Sequence, residues 1–261
     1  MKKLLWLSLW FIIGVSITQN SIAEESISSS TVERVLFVGN SFSYFNNGIH
    51  NHLANLVRSS GQWKKDKSRF RLMTISGGQL VEHQAGLQQM LLSSQWDKVV
   101  LQPYSIGPIS KPNKKTFQKG SLILSEMIRK AGSEPVFFMT WAYKGQPLMM
   151  EQLNEAYTET AKSLNAQLVP VGLAFAAVSQ SHPSIELYTA DVDSFDESGK
   201  LIVKEIIKHP SLAGTYLAAS VFYASFYHQS PEGLSYTAGL PVEEVRILQQ
   251  TAWEIVQKYN N

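Results

Sequence analysis

The sequence predicts an α/β fold in which helices cover both faces of a mostly parallel sheet. Three observations lead to this prediction. Short apolar runs without the alternation of half-exposed strands recur along the chain, segments of helical spacing separate them, and glycine, proline or polar residues follow them. About five such runs occur, which indicates a three-layer α/β/α sandwich of the flavodoxin-like kind.

Each predicted strand is a short apolar run with a clear end. The first is Val35-Leu36-Phe37-Val38, which Gly39 follows, and the third contains Val99-Val100-Leu101 and ends at Pro103. Valine, isoleucine and phenylalanine are frequent in these runs, as they are in buried strands. The strands are predicted over residues 35–38, 70–75, 98–102, 135–140 and 167–171.

The predicted helices show apolar residues three and four positions apart. In the first of them, Ile49, Leu53 and Leu56 share one face. Gly132 ends the third, and Pro241 suits the first turn of the last. The helices are predicted over residues 47–60, 80–92, 115–131, 148–164, 173–178, 212–227 and 242–259.

Residues 1–23 predict a secretory signal peptide. Lys2 and Lys3 form a charged start, an apolar segment of about 14 residues follows, and Ser21-Ile22-Ala23 supplies the small residues that a signal peptidase reads. That segment is shorter than the ~20 residues of a membrane-spanning helix. We therefore expect a cleaved leader, a secreted or periplasmic protein, and no stable membrane insertion.

The composition limits the possible functions. The chain has 261 residues and no cysteine, which excludes thiol catalysis, disulfides and thiolate metal sites. The formal net charge is +2 and the basic run at residues 64–67 is short, so we expect no nucleic-acid partner. Residues 24–33 are predicted to be a flexible lead-in, and residues 34–261 have the length of one α/β domain.

The stretch Gly39-Asn40-Ser41-Phe42, directly behind the first strand, is the most informative in the chain. Open parallel sheets bind ligands in the crevice beyond the carboxyl ends of their strands, and this turn puts a hydroxyl there. Serine is a poor nucleophile without a base and an oxyanion site. His209 is the candidate base, while Ser76-Gly77-Gly78 and Gln102 end the next two strands. The alternative is a plain turn that caps a helix.

These motifs, in this order, resemble those of the SGNH (GDSL-like) hydrolase superfamily. The family's nucleophile turn, glycine turn, asparagine turn and late histidine correspond to Gly39-Asn40-Ser41, Ser76-Gly77-Gly78, Gln102 and His209. Thr140-Trp141-Ala142 and the segment from His209 to Leu217 are similar to an uncharacterised branch of that superfamily. The resemblance extends over about residues 34–227.

The resemblance implies a serine hydrolase that acts on esters and needs neither a cofactor nor a metal. Ser41 would attack the ester carbonyl after His209 takes its proton. Backbone N–H groups of Ser41 and Gly77, with Gly78 as the alternative to Gly77, would hold the oxyanion. The Gln102 side chain would be a further oxyanion donor, although it is longer than the asparagine usual in the family.

The sequence departs from the family at the acid that orients the histidine. The family has an aspartate three residues before the histidine, whereas this chain has Ile206. Asp191 is the first candidate for the missing carboxylate, Asp193 is the second, and a Ser–His dyad is the third possibility. Residues 193–208 are expected to be an insertion, with a hairpin that turns at residues 197–200.

The predicted function is that of an exported serine esterase that removes acetyl or other short acyl groups from a small-molecule or glycan ester. The alternatives are an acyltransferase with the same site and a non-catalytic glycan-binding protein. Trp141 and Tyr143 could line a sugar pocket or belong to the core. His50 and His52 point apart on a helix, which argues against a metal site. The sequence leaves the oligomeric state open.

Overall fold

Five parallel strands form the central sheet of the computed structural model, which describes residues 32–260. Their order across the sheet is β2-β1-β3-β4-β5. This confirms the predicted number of strands and the parallel arrangement. The strands are β1 (Arg34–Gly39), β2 (Arg69–Thr74), β3 (Lys98–Leu101), β4 (Glu134–Phe138) and β5 (Gln167–Val169). The signal peptide predicted over residues 1–23 lies outside the described residues, as do residues 24–31 of the predicted lead-in.

Helices flank the sheet on both sides, as the three-layer prediction requires. Within residues 32–260, no helix is both long and apolar enough to cross a membrane. A 3-10 helix (Leu80–His83) precedes α3. The α-helices are α1 (Ser41–Tyr44), α2 (Ile49–Ser59), α3 (Gln84–Ser93), α4 (Lys111–Lys130), α5 (Leu148–Ser163), α6 (Val171–Ser181), α7 (Leu212–Tyr227) and α8 (Val242–Asn260).

The core explains why the strand sequences lack alternation. Residues 35–38 of β1, 99–101 of β3 and 136–138 of β4 have no solvent exposure, because helices cover both faces of these strands. Residues 213–226 of α7 are all buried as well. That helix contacts α2, α6 and α8, which accounts for its continuously apolar sequence. Burial of each large aliphatic side chain contributes about 1.5–3 kcal/mol to folding.

An exposed hairpin leaves the sandwich between α6 and α7. Its strands β7 (Val192–Phe195) and β8 (Leu201–Val203) are antiparallel, so the hairpin expected within residues 193–208 is confirmed. At its base, β6 (Tyr188–Thr189) pairs with β9 (His209–Pro210), and Thr189 lies opposite His209. This pairing brings the chain that enters the hairpin next to the chain that leaves it.

Candidate active site

The carboxyl ends of β1, β2 and β3 meet at one edge of the sheet. In the register, Gly39 lies opposite Thr74, and Val38 lies opposite Leu101. The three turns that follow these strands are therefore neighbours. A cleft of about 360 Å³ opens beside them, and its lining includes Ser41, Gly77, Asp191 and His209.

Ser41, His209 and Asp191 form one hydrogen-bonded chain in this cleft. The Ser41 hydroxyl lies 2.7 Å from Nε2 of His209, and both carboxylate oxygens of Asp191 lie 2.6 Å from Nδ1. With Nδ1–H donating to the carboxylate, Nε2 is free to accept the serine proton. The side chains of His209 and Asp191 are 11% and 13% exposed, so these contacts are largely shielded from water. This is the geometry that an activated serine nucleophile needs.

The carboxylate beside the imidazole thus belongs to Asp191, the first of the candidates. Asp193, the second, lies exposed on β7, and Ile206 is 49% exposed. The pairing of β6 with β9 brings Asp191 to His209 across 18 positions of sequence, which replaces the family's spacing of three. The catalytic roles of Ser41, His209 and Asp191 stay predictions.

Aromatic rings hold the His209 imidazole in place. Phe45 stacks on it with ring centroids 4.3 Å apart and planes inclined by 6°, and Phe42 meets it edge-on at 5.7 Å. Trp141 is fully buried and stacks on Phe42 at 4.7 Å. Its indole N–H donates to the Lys208 carbonyl at 2.9 Å, which fixes the backbone just before His209. Trp141 therefore belongs to the core, one of its two predicted positions.

The surroundings of His209 keep its imidazole neutral. Burial lowers the pKa of His209, the hydrogen bond and charge of Asp191 raise it, and the charges of nearby lysines lower it again. The net result is a pKa below the ordinary value of histidine. A neutral imidazole can accept the proton of Ser41, whereas a protonated one cannot. The site is thus prepared for base catalysis at neutral pH.

Gln102 supports the nucleophile turn from a buried position, with only 1% of the residue exposed. Its Oε1 accepts from the Asn40 N–H at 2.8 Å and from the Ser43 hydroxyl at 3.0 Å, and its Nε2 donates to the Pro103 carbonyl. A Cβ on Gly39 would lie 2.5 Å from Oε1, so a glycine is needed there. The side chain of Gln102, which is one methylene longer than that of asparagine, reaches beneath the turn. The role of Gln102 as an oxyanion donor stays a prediction.

The two glycines after β2 differ in the state of their N–H groups. The Gly78 N–H donates to the Ile75 carbonyl at 2.9 Å and is therefore occupied within its own turn. Gly77 has a φ of +66° and lines the cleft. Neither its N–H nor that of Ser41 donates to a group within residues 32–260. In this part of the chain, Gly77 and Ser41 therefore keep N–H groups that an oxyanion could use, which favours Gly77 over its alternative, Gly78. The oxyanion roles stay predictions.

Asn40 joins the three turns, a role that its sequence position did not reveal. Its Nδ2 donates to the carbonyls of Gly78 and Pro103 at 3.1 and 3.3 Å, and its Oδ1 accepts from the Phe42 N–H at 3.3 Å. Only 2% of Asn40 is exposed, so all of these bonds are buried. The sequence shows only that Asn40 lies between Gly39 and Ser41, which does not indicate these contacts.

Several further residues were not predicted as part of the site. Phe45, Ser105, Lys204 and Lys208 line the cleft or contact its residues, and no motif distinguishes them in the sequence. The hydroxyl of Tyr143 lies 2.8 Å from that of Ser105, between the cleft and a second cavity of about 700 Å³. Tyr143 lines that second cavity.

His52, one of the two histidines considered for a metal site, is hydrogen-bonded to other parts of the protein. Nε2 of His52 lies 2.7 Å from the Asn46 carbonyl, and its Nδ1 lies 2.9 Å from the Tyr236 hydroxyl. Across the described part of the chain, residues 32–260, no group of three or more histidine and acidic side chains is arranged to hold a metal ion. His52 therefore joins two segments of the protein.

Comparison with known proteins identifies the fold family. No protein-family model and no curated protein matches the sequence. A protein from Slackia heliotrinireducens assigned to the SGNH hydrolases is 28% identical, with a TM-score of 0.56 over 74% of this chain and 98% of its own. A DUF4886 family protein from Bacteroides uniformis is 16% identical, with a TM-score of 0.62 over 87% of this chain and 95% of its own.

An acetyl xylan esterase has the same fold. It is 14% identical to this chain and has a TM-score of 0.53 over 73% of this chain and 98% of its own. The five parallel strands with helices on both sides agree with the fold of an SGNH hydrolase. These likenesses confirm the predicted resemblance to the SGNH (GDSL-like) hydrolase superfamily and support an ester-hydrolysing serine hydrolase.

Proposed function

We propose that the protein is an exported esterase that removes acetyl or other short acyl groups from its substrate. The hydrogen-bonded chain from Ser41 through His209 to Asp191 is the observation that supports this proposal best. The free N–H groups of Ser41 and Gly77 within residues 32–260 support it further, because acyl transfer needs donors for an oxyanion.

In the first half of the proposed reaction, Ser41 becomes acylated. Its Oγ attacks the carbonyl carbon of the ester while its proton passes to Nε2 of His209, and Asp191 stabilises the imidazolium that forms. The N–H groups of Ser41 and Gly77 bind the oxyanion, and such donors are typically worth about 3–4 kcal/mol each. The tetrahedral intermediate collapses when the C–O bond to the alcohol breaks and Nε2 returns the proton to the alkoxide.

In the second half, water replaces the alcohol. His209 takes a proton from the attacking water, and the same donors hold the second oxyanion. The intermediate collapses with cleavage of the bond to Oγ, which regains a proton from Nε2, and the carboxylic acid leaves. No cofactor enters either half of this cycle.

The proposed substrate is a small-molecule or carbohydrate ester. The cleft of about 360 Å³ has room for a short acyl group and part of an alcohol. A fold shared with an acetyl xylan esterase is compatible with a carbohydrate ester. The charged and apolar start of the chain, Lys2-Lys3 followed by an apolar segment, supports export to the periplasm or beyond.

A probe of the serine tests this function. The protein is incubated with p-nitrophenyl acetate and, separately, with a fluorophosphonate that labels activated serines. We expect hydrolysis and labelling by the natural chain and neither by Ser41→Ala, because that variant lacks the attacking oxygen. Ser76→Ala is the matched control, since Ser76 is an exposed serine in the lining of the same cleft. Hydrolysis or labelling that persists in a folded Ser41→Ala protein would contradict the proposal.

A further inference from the structure

Two lysines line the same cleft as the candidate serine. Lys204 and Lys208 both border it, one at the base of the exposed hairpin and the other next to His209. Neither takes part in a salt bridge within residues 32–260, where the ion pairs involve Lys64, Lys98, Lys144, His209 and Arg246. Two lysines that have no carboxylate partner in this part of the chain thus belong to the lining of the cleft.

The backbone holds both lysines in this position. The Lys204 N–H donates to the carbonyl of Asp191 at 2.9 Å, so its segment is tied to the candidate acid. The carbonyl of Lys208 accepts from the Trp141 indole, and its Nζ lies 5.7 Å from the centre of the Tyr143 ring. Both hydrogen bonds involve the backbone of the lysines, so a change of either side chain leaves them in place.

The charges that face the cleft leave it positive. Among the lining residues within 32–260, Asp191 is the one carboxylate, and it is engaged with His209. The lysines provide two positive charges against this one negative charge, and His209 is neutral. Besides burial, Lys208 and Lys204 themselves lower the pKa of His209, which is consistent with their closeness to the ring. The acids of the hairpin, Asp193, Asp196, Glu197 and Glu205, are exposed and lie outside the cleft lining.

We infer that the natural substrate is an anionic ester, with a carboxylate on its alcohol part that the ammonium groups of Lys204 and Lys208 bind. This inference rests on the proposed esterase function and narrows its substrate class. Two lysines that have no acidic partner in the described part of the chain attract an anion, and lysine binds it as a mobile point charge. A carbohydrate ester of this kind would contain an acidic sugar. Lys204 and Lys208 would then determine specificity, while Ser41 and His209 carry out the chemistry.

A pair of esters that differ in charge tests the inference. Methyl 4-acetoxybenzoate is neutral, whereas 4-acetoxybenzoate carries a carboxylate on its alcohol part, and both release acetate. We expect the Lys204→Gln, Lys208→Gln double variant to lose about tenfold in kcat/KM on the anionic ester, mainly through a higher KM. The kcat/KM for the neutral ester should fall by much less, because its alcohol part has no charge for the ammonium groups to bind.

Three further measurements complete the test. Lys200→Gln is the matched control, because Lys200 lies exposed in the hairpin turn and outside the cleft lining, and it should change neither ester. The single variant Lys204→Gln removes an exposed side chain and serves if the double variant does not fold. Added salt should weaken the preference of the natural chain for the anionic ester, because ions screen the attraction.

The outcomes separate the inference from the proposed function. Equal losses on both esters, or no preference by the natural chain, would overturn the inference and leave the esterase function intact. Failure of the natural chain to hydrolyse either ester would contradict the esterase function, and the inference would fall with it. A loss of kcat/KM in the double variant that is much larger on the anionic ester than on the neutral one supports both the inference and the esterase function.

Discussion

At the scale of single residues, the position of Asp191 determines what His209 can do. The two contacts of 2.6 Å between the carboxylate and Nδ1 fix the tautomer that leaves Nε2 facing Ser41. The same carboxylate stabilises the imidazolium that forms during acyl transfer. Phe45 stacks on the ring and restricts its rotation, so the acid and the aromatic ring act on one side chain together.

We therefore expect Asp191→Asn to lower kcat by about 10⁴-fold without unfolding the protein, since the amide favours the wrong tautomer. Its pH profile should change as well. The rate rises with pH as His209 loses its proton, and Asp191 raises the pKa of His209. Without that carboxylate, the acid limb of the profile should move to lower pH. Measurement of kcat from about pH 4 to pH 9 checks both effects.

Asp193→Asn provides the matched control, because Asp193 lies exposed on β7, two positions from Asp191. Its turnover should stay within about twofold of the natural chain. A larger loss in Asp193→Asn than in Asp191→Asn would assign the catalytic acid to β7. A normal rate in Asp191→Asn would favour the Ser–His dyad.

At the scale of elements, the sequence predicts the sheet and helices well. The strands are continuously apolar because both faces are covered, and α7 has the predicted bounds because a capping serine, Ser211, precedes a wholly buried helix. Placement of Ser41 and Gly77 at one edge also follows from the parallel topology. The helix predicted over residues 115–131 begins earlier, at Lys111, with Pro112 in its first turn.

Side-chain contacts between the strands and helices were harder to predict than the positions of these strands and helices in the sequence. Which acid lies beside His209 depends on the register of β6 against β9. A shift of that register by one residue would turn the side chains of β6 to the other face. No local pattern specifies that register, so Asp191, Asp193 and the dyad were all open. The direction of Gln102 depends on two donors beneath the nucleophile turn, which only the folded chain brings together.

The link between β3 and the nucleophile turn leads to a second prediction. Gln102→Ala leaves the buried Asn40 N–H and Ser43 hydroxyl without their acceptor, and each such group typically costs about 1–3 kcal/mol. We expect both the free energy of unfolding and kcat to fall. Urea denaturation and acetate ester hydrolysis measure the two quantities. A loss of kcat alone, with an unchanged free energy of unfolding, would support the predicted role of Gln102 as an oxyanion donor.

At the scale of the whole molecule, the fold depends on its packed core, because the chain has no cysteine with which to form a disulfide. That core contains histidines as well as apolar residues. Burial lowers the pKa of His50 to about 4, and it also lowers the pKa values of His52 and His83. An unfolded histidine has a pKa of about 6.5. As pH falls below that value, the unfolded chain binds protons that the folded chain does not, so stability falls.

His83 allows this pH dependence to be tested at one position. It is 1% exposed, and neither ring nitrogen has a hydrogen-bond partner within residues 32–260. Leucine has a similar size and no polar atoms, so His83→Leu should raise the midpoint of thermal unfolding at pH 8. The gain should be larger at pH 5, because the unfolded variant has no proton to bind there. A gain that does not grow from pH 8 to pH 5 would mean that His83 titrates alike in the folded and unfolded chains.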